Sequence, residues 1–301
     1  MTVPLVAAGP ADRTWTARHP VGGYLVLAFG ITWALQLPMV LGGDGLGLLP
    51  FRVPIPGYIA LFLLSAFGPT MAAYLVIRRT EGAAGLKAWR DRLLKWRVGW
   101  IWYVVAFLAY PILHLAVTSL VMGAEPIRAL SGGWTAILTT YLPGVLIFPA
   151  LINLGEEIGW RGYALTTLQP RVGPLPAALA VGIFHGLWHL PVFLLVSGPP
   201  ANGPFDLVHF LRNTITIAII TVSWAYVYNR AGQSILIATL LHASSNASSV
   251  LMRRWIPHPP PLVGYLDLVA YVAIGAILVA ITKGQLGFGR ATVEGAVPTS
   301  G

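Results

Sequence analysis

The feature that most constrains this chain is a recurrence of apolar segments, each close to the length that crosses a bilayer. About eight are legible, at roughly 24–41, 57–78, 100–122, 135–155 or beyond, 175–197, 206–229, 233–251 and 262–282. An α-helix needs about 20 apolar residues to cross the roughly 30 Å hydrocarbon core, so each is a transmembrane candidate. Backbone polar groups find no water in lipid, and with apolar runs of this length the spanning structure is helical. The expected fold is therefore an all-α, polytopic membrane bundle of about eight helices. Only 10% of the residues are charged, against about 25% in soluble domains. We expect one transmembrane domain over 21–283, flanked by flexible tails at 1–20 and 284–301 that are rich in small residues, Pro and Thr. The first 20 residues show no continuous apolar stretch of a cleavable signal peptide.

Charge sets the expected orientation. The 78–99 connection carries Arg78, Arg79, Lys87, Arg90, Arg92, Lys95 and Arg97 against Glu81 and Asp91, which assigns it to the cytoplasm. Counting helices from it places both termini in the cytoplasm, in what reads as a bacterial plasma membrane. Arg253 and Arg254 in the 252–261 loop would then face outside, against the rule. The net charge of +9 belongs to such loops and does not imply nucleic acid. Within the basic connection, "LKAWRDRLLKWR" repeats Leu86, Trp89, Leu93 and Trp96 at helical spacing. It is expected to be a helix on the cytoplasmic membrane face. With no cysteine in the chain, disulfides and thiolate chemistry are excluded.

Three polar clusters interrupt the apolar segments, all within 135–250. In "INLGEEIGWRGYAL", Glu156 and Glu157 stand side by side in a chain with only ten acidic residues. An ionisable group at membrane depth is a functional-site hypothesis by default. Glu157 and Arg161 are four apart, share a helix face and can pair. Glu156 points about 100° away, without a local cation, which suits a general base. In "GIFHGLWHLP", His185 and His189 share a face and Pro191 follows, so the helix should loosen there. In "LLHASSN", His242 and Asn246 repeat the four-residue spacing. At 1.5 Å per residue, Glu156, His189 and His242 lie about 18, 20 and 13 Å from the cytoplasmic ends of their helices. This similar depth allows an intramembrane polar cavity in which carboxylate, imidazoles and amide meet. That set suffices for hydrolysis: a base activates water, imidazole moves protons or holds metal, and an amide stabilises the oxyanion. His114 and His209 are expected to be hydrogen-bonded packing residues.

The three motifs resemble those of the CPBP family of intramembrane proteases, the CAAX-processing and bacteriocin-processing (Abi) group. That signature is Glu-Glu-x-x-x-Arg, then Phe-x-x-x-His, then His-x-x-x-Asn. Glu156, Glu157 and Arg161 match the first, His189 the second, and His242 with Asn246 the third. His185 stands where the signature has phenylalanine, and Phe184 is one residue out of register. The resemblance implies an intramembrane endopeptidase that hydrolyses a peptide bond with glutamate-activated water. It assigns Glu156, His189, His242 and Asn246 as catalytic, with Glu157 and Arg161 in support; His185, which departs from the signature, is added as a supporting residue from its spacing to His189. His185 is read as tuning His189 or lining the cavity. Metal use stays open. Glu156, His189 and His242 could hold a zinc ion, but no His-Glu-x-x-His motif is present, and the reading favours no tightly bound metal. The expected partners are lipid and a peptide or protein substrate reaching the site from membrane or cytoplasm. The alternatives are a catalytically silent immunity or scaffolding protein on the same fold, and a proton-coupled transporter. The transporter predicts matched repeats, which the sequence does not display.

Overall fold

The computed structural model describes residues 19–197 and 203–289. The N-terminal stretch 1–18 and residues 290–301, both expected to be tails, lie outside the described residues. All regular structure among those described is helical: α1 (Pro20–Leu41), α2 (Ile55–Ala66), α3 (Gly68–Thr80), α4 (Gly82–Leu93), α5 (Trp100–Met122), α6 (Glu125–Gly132), α7 (Leu142–Leu146), α8 (Phe148–Gly159), α9 (Thr166–Val172), α10 (Pro174–Trp188), α11 (Leu190–Phe193), α12 (Leu207–Arg230), α13 (Ile235–Trp255) and α14 (Pro261–Thr282). A π-helical turn at Ile137–Tyr141 leads into α7, and a second at Trp160–Leu165 joins α8 to α9, so that one apolar span runs from Ile137 to Val172.

Among the described residues, six helical spans are long and apolar enough to cross a membrane, which makes this a multi-pass membrane protein. The expected 57–78 span is a pair, α2 and α3, bent by 42°, and counting it as one brings the number to seven. The expected 175–197 span is a 15-residue helix, α10, that breaks at His189 before the short α11. At about 22 Å, α10 is shorter than the hydrocarbon core.

The bend between α2 and α3 is tied to α1. Thr32 Oγ1 donates to the Ser65 carbonyl at 2.9 Å and Gln36 Nε2 donates to Ser65 Oγ at 2.9 Å. The helix that carries the glutamates, α8, packs against α3 on one side and α13 on the other. Gly159 makes the first contact possible, since a Cβ there would meet the Pro69 backbone at 2.5 Å.

The most extensive helix pair is α10 with α12. It rests on Gly182 and Gly186, four residues apart on one face. A Cβ on Gly182 would lie 2.5 Å from Ala218 Cα, and one on Gly186 would lie 2.6 Å from Thr214 Cα. Lipid tails are as apolar as helix surfaces, so small residues that let backbones approach drive such pairs. This pair holds α10, with its two histidines, against the rest of the site.

The basic connection folds as α4, but its apolar stripe faces protein. Trp89 is buried, and its Nε1 donates to the Ile158 carbonyl at 3.1 Å. Arg92 Nη2 donates to the Gly162 carbonyl at 3.1 Å, and Leu86 and Leu93 pack on the same core. Trp96 alone of the stripe is well exposed. The membrane-surface helix expected here is thus a brace across the π turn at Trp160–Leu165. Beyond α14 the chain still packs on the bundle. Leu286 is fully buried, and its carbonyl accepts from Asn229 Nδ2 at 3.0 Å.

Substituting Gly182 or Gly186 by Ala should lower the thermal stability of the detergent-solubilised protein, by about 1–3 kcal/mol as for overpacked cores. Gly30→Ala, which meets nothing within 4 Å, should not lower it. Equal melting of all three variants would contradict the close α10–α12 approach.

Candidate active site

The site is built around Arg161. It sits in the π turn that directly follows α8, and Thr166 Oγ1 bonds back to its carbonyl at 2.8 Å. Single π turns inside helices often occur at functional sites. Its side chain is fully buried, so its permanent charge needs partners. Nη1 donates to Glu157 Oε1 at 2.7 Å, and the same nitrogen lies 3.3 Å from His185 Nδ1. Nη2 donates to Thr221 Oγ1 of α12 at 3.1 Å, and the guanidinium lies over the Trp224 ring at 4.7 Å. Arginine thus gathers α8, α10 and α12 in one place.

The two glutamates take different partners. Glu157 is fully buried and holds Arg161 on Oε1, which also receives His242 Nδ1 at 2.9 Å. Glu156, also buried, has no arginine; its Oε2 lies 2.8 Å from His185 Nε2. Its Oε1 makes no protein hydrogen bond among the described residues. The expectation that Glu157 takes Arg161 and leaves Glu156 without a cation agrees with this geometry.

His185 and His189 lie one turn apart, with ring centres separated by 5.1 Å. His185 is buried and stacks on Trp160 at 5.1 Å. His189 sits at the break between α10 and α11, with Nδ1 2.9 Å from the His185 carbonyl. A carbonyl can only accept, so His189 Nδ1 carries the proton and Nε2 keeps a lone pair. His242 lies 5.8 Å from His185 between ring centres and 4.5 Å from Trp224. Asn246 is one turn further along α13, exposed, and joins no hydrogen bond of this network. The structure therefore brings Glu156, Glu157, Arg161, His185, His189 and His242 together and leaves Asn246 at the margin. His114, outside the centre, is bonded by Tyr271 at 2.7 Å and Ser248 at 3.0 Å, as a packing histidine. His209 packs edge to face on Phe193. Thr221, Trp160 and Trp224 were not anticipated. Their only sequence signal is indirect: Gly182 seats α12 close enough that its Cβ position lies 3.0 Å from Thr221 Cβ.

The donor set can be tested against a metal. Glu156, His185 and His189 offer ligand atoms all within 4.8 Å of one another, a set with His185 in place of the expected His242. Guanidinium has no lone pair to accept with, so the Arg161 contact makes His185 Nδ1 the acceptor and puts the ring proton on Nε2. That nitrogen then has no lone pair for a metal. As hydrogen-bonded here, that trio offers only Glu156 and His189, short of the three protein ligands of a catalytic zinc; His242, with Nδ1 on Glu157, keeps Nε2 unbonded but is not in the trio whose ligand atoms lie within 4.8 Å.

Helices packed around a buried carboxylate–imidazole–guanidinium centre define a polytopic membrane protein with a built, enclosed polar site. Comparison with known proteins then places it. Residues 138–248 match the family model described as "Type II CAAX prenyl endopeptidase Rce1-like", a stretch that contains every residue of the centre. CAAX prenyl protease 2 of Methanococcus maripaludis is 27% identical over 203 residues, 65% of this chain and 73% of that protein. A signal transduction histidine-protein kinase/phosphatase of Salmonella typhimurium, UhpB, is 28% identical over 147 residues, 48% of this chain and 26% of that protein. Over this central stretch the chain is thus similar to CAAX prenyl endopeptidases.

Removing the Glu157 charge strands Arg161 inside the bundle. Glu157→Gln should therefore lower folding stability by about 3–5 kcal/mol, as when one partner of a buried pair is lost. Asn246→Ala, at an exposed position, should stay within about 0.5 kcal/mol of wild type. Thermal unfolding in detergent checks both, and similar melting for the two variants would contradict the pairing.

Proposed function

We propose that this protein is an intramembrane endopeptidase in which Glu156 activates the water that attacks a peptide bond. The observation that carries this reading is the separation of the two glutamates. Glu157 is fully buried, with Oε1 held by Arg161 and His242 and Oε2 sealed in the bundle without a partner among the described residues, whereas Glu156 has no arginine and keeps Oε1 unbonded on a side chain that is not fully closed off.

In this reading water sits between Glu156 Oε1 and the lone pair of His189 Nε2. Glu156 takes a proton as the oxygen attacks the carbonyl carbon, and later returns it to the leaving amine. The resemblance assigns oxyanion stabilisation to His242 and Asn246. His242 could donate from Nε2 only in its doubly protonated form, because Nδ1–H already faces Glu157. Asn246 would supply its side-chain N–H from the edge of the site. The reaction proceeds without a bound metal, a reading supported by the short donor set.

The substrate is a peptide or protein arriving from the membrane or the cytoplasm. A prenylated C-terminal segment is one class, suggested by the name of the archaeal relative. The basic 78–99 connection supports a cytoplasmic position for that loop and for both termini.

Glu156→Gln keeps the shape of the side chain and removes the base. The variant should fold normally and lose about 10²–10⁴-fold in turnover. Peptides released by cells carrying wild type and Glu156→Gln, compared by mass spectrometry, give the readout. A variant that releases the same peptides in the same amounts would overturn the assignment. Dialysis of the purified wild type against a chelator should leave activity unchanged, and stoichiometric zinc lost together with activity would overturn the metal-free reading.

A further inference from the structure

His185 stands where the family signature has phenylalanine, so no family role accounts for it. Donor chemistry fixes the direction of its two ring contacts. Arg161 Nη1 lies 3.3 Å from Nδ1, and arginine can only donate. A neutral imidazole has one N–H, which is therefore on Nε2. That N–H points at Glu156 Oε2, 2.8 Å away. Stacking on Trp160 holds the ring plane, and the close approach of α10 to α12 holds the helix.

We infer that His185 is the positioning residue of the proposed base, a hydrogen-bond donor whose tautomer is set by Arg161. This deepens the peptidase reading and rests on it. The N–H occupies one oxygen of Glu156 and fixes the carboxylate plane, so the other oxygen is the one left to take a proton from water. The adjacent His189 has the opposite polarity, with Nδ1–H given to the His185 carbonyl and Nε2 bare. One ring thus donates to the base while the other can accept from water. The first-motif arginine acts on the first-motif glutamate through a ring carried by the second-motif helix. A phenylalanine at this position could make neither contact.

The test has two arms on the full-length protein in lipid bilayers. In the first, nitrogen-15 histidine labelling and NMR, with His185 assigned by its loss in His185→Gln, read the tautomer directly. His185 should carry its proton on Nε2 and none on Nδ1; a proton on Nδ1 would overturn the inference. In the second, His185→Phe, His185→Gln and Glu156→Gln are compared with wild type for released peptides and for bound zinc. Glutamine can accept from Arg161 through its carbonyl and donate to Glu156 through its amide, but cannot replace an imidazole ligand. His185→Phe should lose about 10–100-fold, the range for a hydrogen bond to a charged group, and His185→Gln should restore most of it. Full activity in His185→Phe would overturn the positioning role. Loss in both variants together with zinc would overturn it in favour of a metal ligand, and loss in both without zinc would also overturn it. If Glu156→Gln matches wild type, the peptidase reading fails, and the NMR arm still decides the hydrogen-bond assignment.

Discussion

A permanent positive charge buried inside a membrane bundle is the constraint on which the rest depends. Arg161 cannot lose its proton and is fully buried, so folding must supply its partners. It finds a carboxylate on its own helix, an imidazole on α10, a hydroxyl on α12 and the face of Trp224. Each comes from an element that other features bring close. The π turn starts at Trp160, directly after the helix that carries Glu157, the pair Gly182 and Gly186 lets α10 meet α12, and α4 braces the turn through Trp89 and Arg92. The centre and the helix packing are one structure, because a loose bundle would leave the guanidinium unsatisfied.

That constraint separates two chemically identical side chains. Glu157 is bound to a charge it helps to bury, and also receives His242. Glu156, one residue earlier, faces away from the guanidinium and meets a neutral N–H instead. A carboxylate held by hydrogen bonding rather than by a salt bridge is oriented yet available for proton transfer. The same division explains why the bundle tolerates two adjacent acids: one is neutralised by its partner, and the other meets the N–H of His185.

The parts of this arrangement that lie within one helix were legible in the sequence. Glu157 with Arg161, His185 with His189, and the loosening near Pro191 follow from spacing and backbone chemistry alone. The membrane class followed from segment length, and the convergence of the three motifs from their similar depth. What could not be read depended on contacts between helices. Spacing along α13 places His242 on a face but not opposite Glu157, and nothing local shows that His185 lies nearer to Glu156 than a lining residue need be. The Gly182 and Gly186 approach, the 42° bend after α2 and the inward turn of the α4 stripe are decided by neighbours distant in sequence. An amphipathic basic helix reads alike whether its apolar face meets lipid or protein, and the buried Trp89 resolves that ambiguity only in three dimensions.

The central claim is that Arg161 and Glu157 form one energetic unit that organises the centre. The most direct measurement is a double-mutant cycle, with unfolding free energies of wild type, Glu157→Gln, Arg161→Gln and the double variant in the same detergent. Removing both partners leaves no uncompensated charge, so the double variant should be no less stable than either single variant. The coupling should then be no smaller than the Glu157→Gln loss itself, about 3–5 kcal/mol, at or beyond the upper end of what contacting residues show. Additive losses, with a coupling within about 0.5 kcal/mol of zero, would contradict the account.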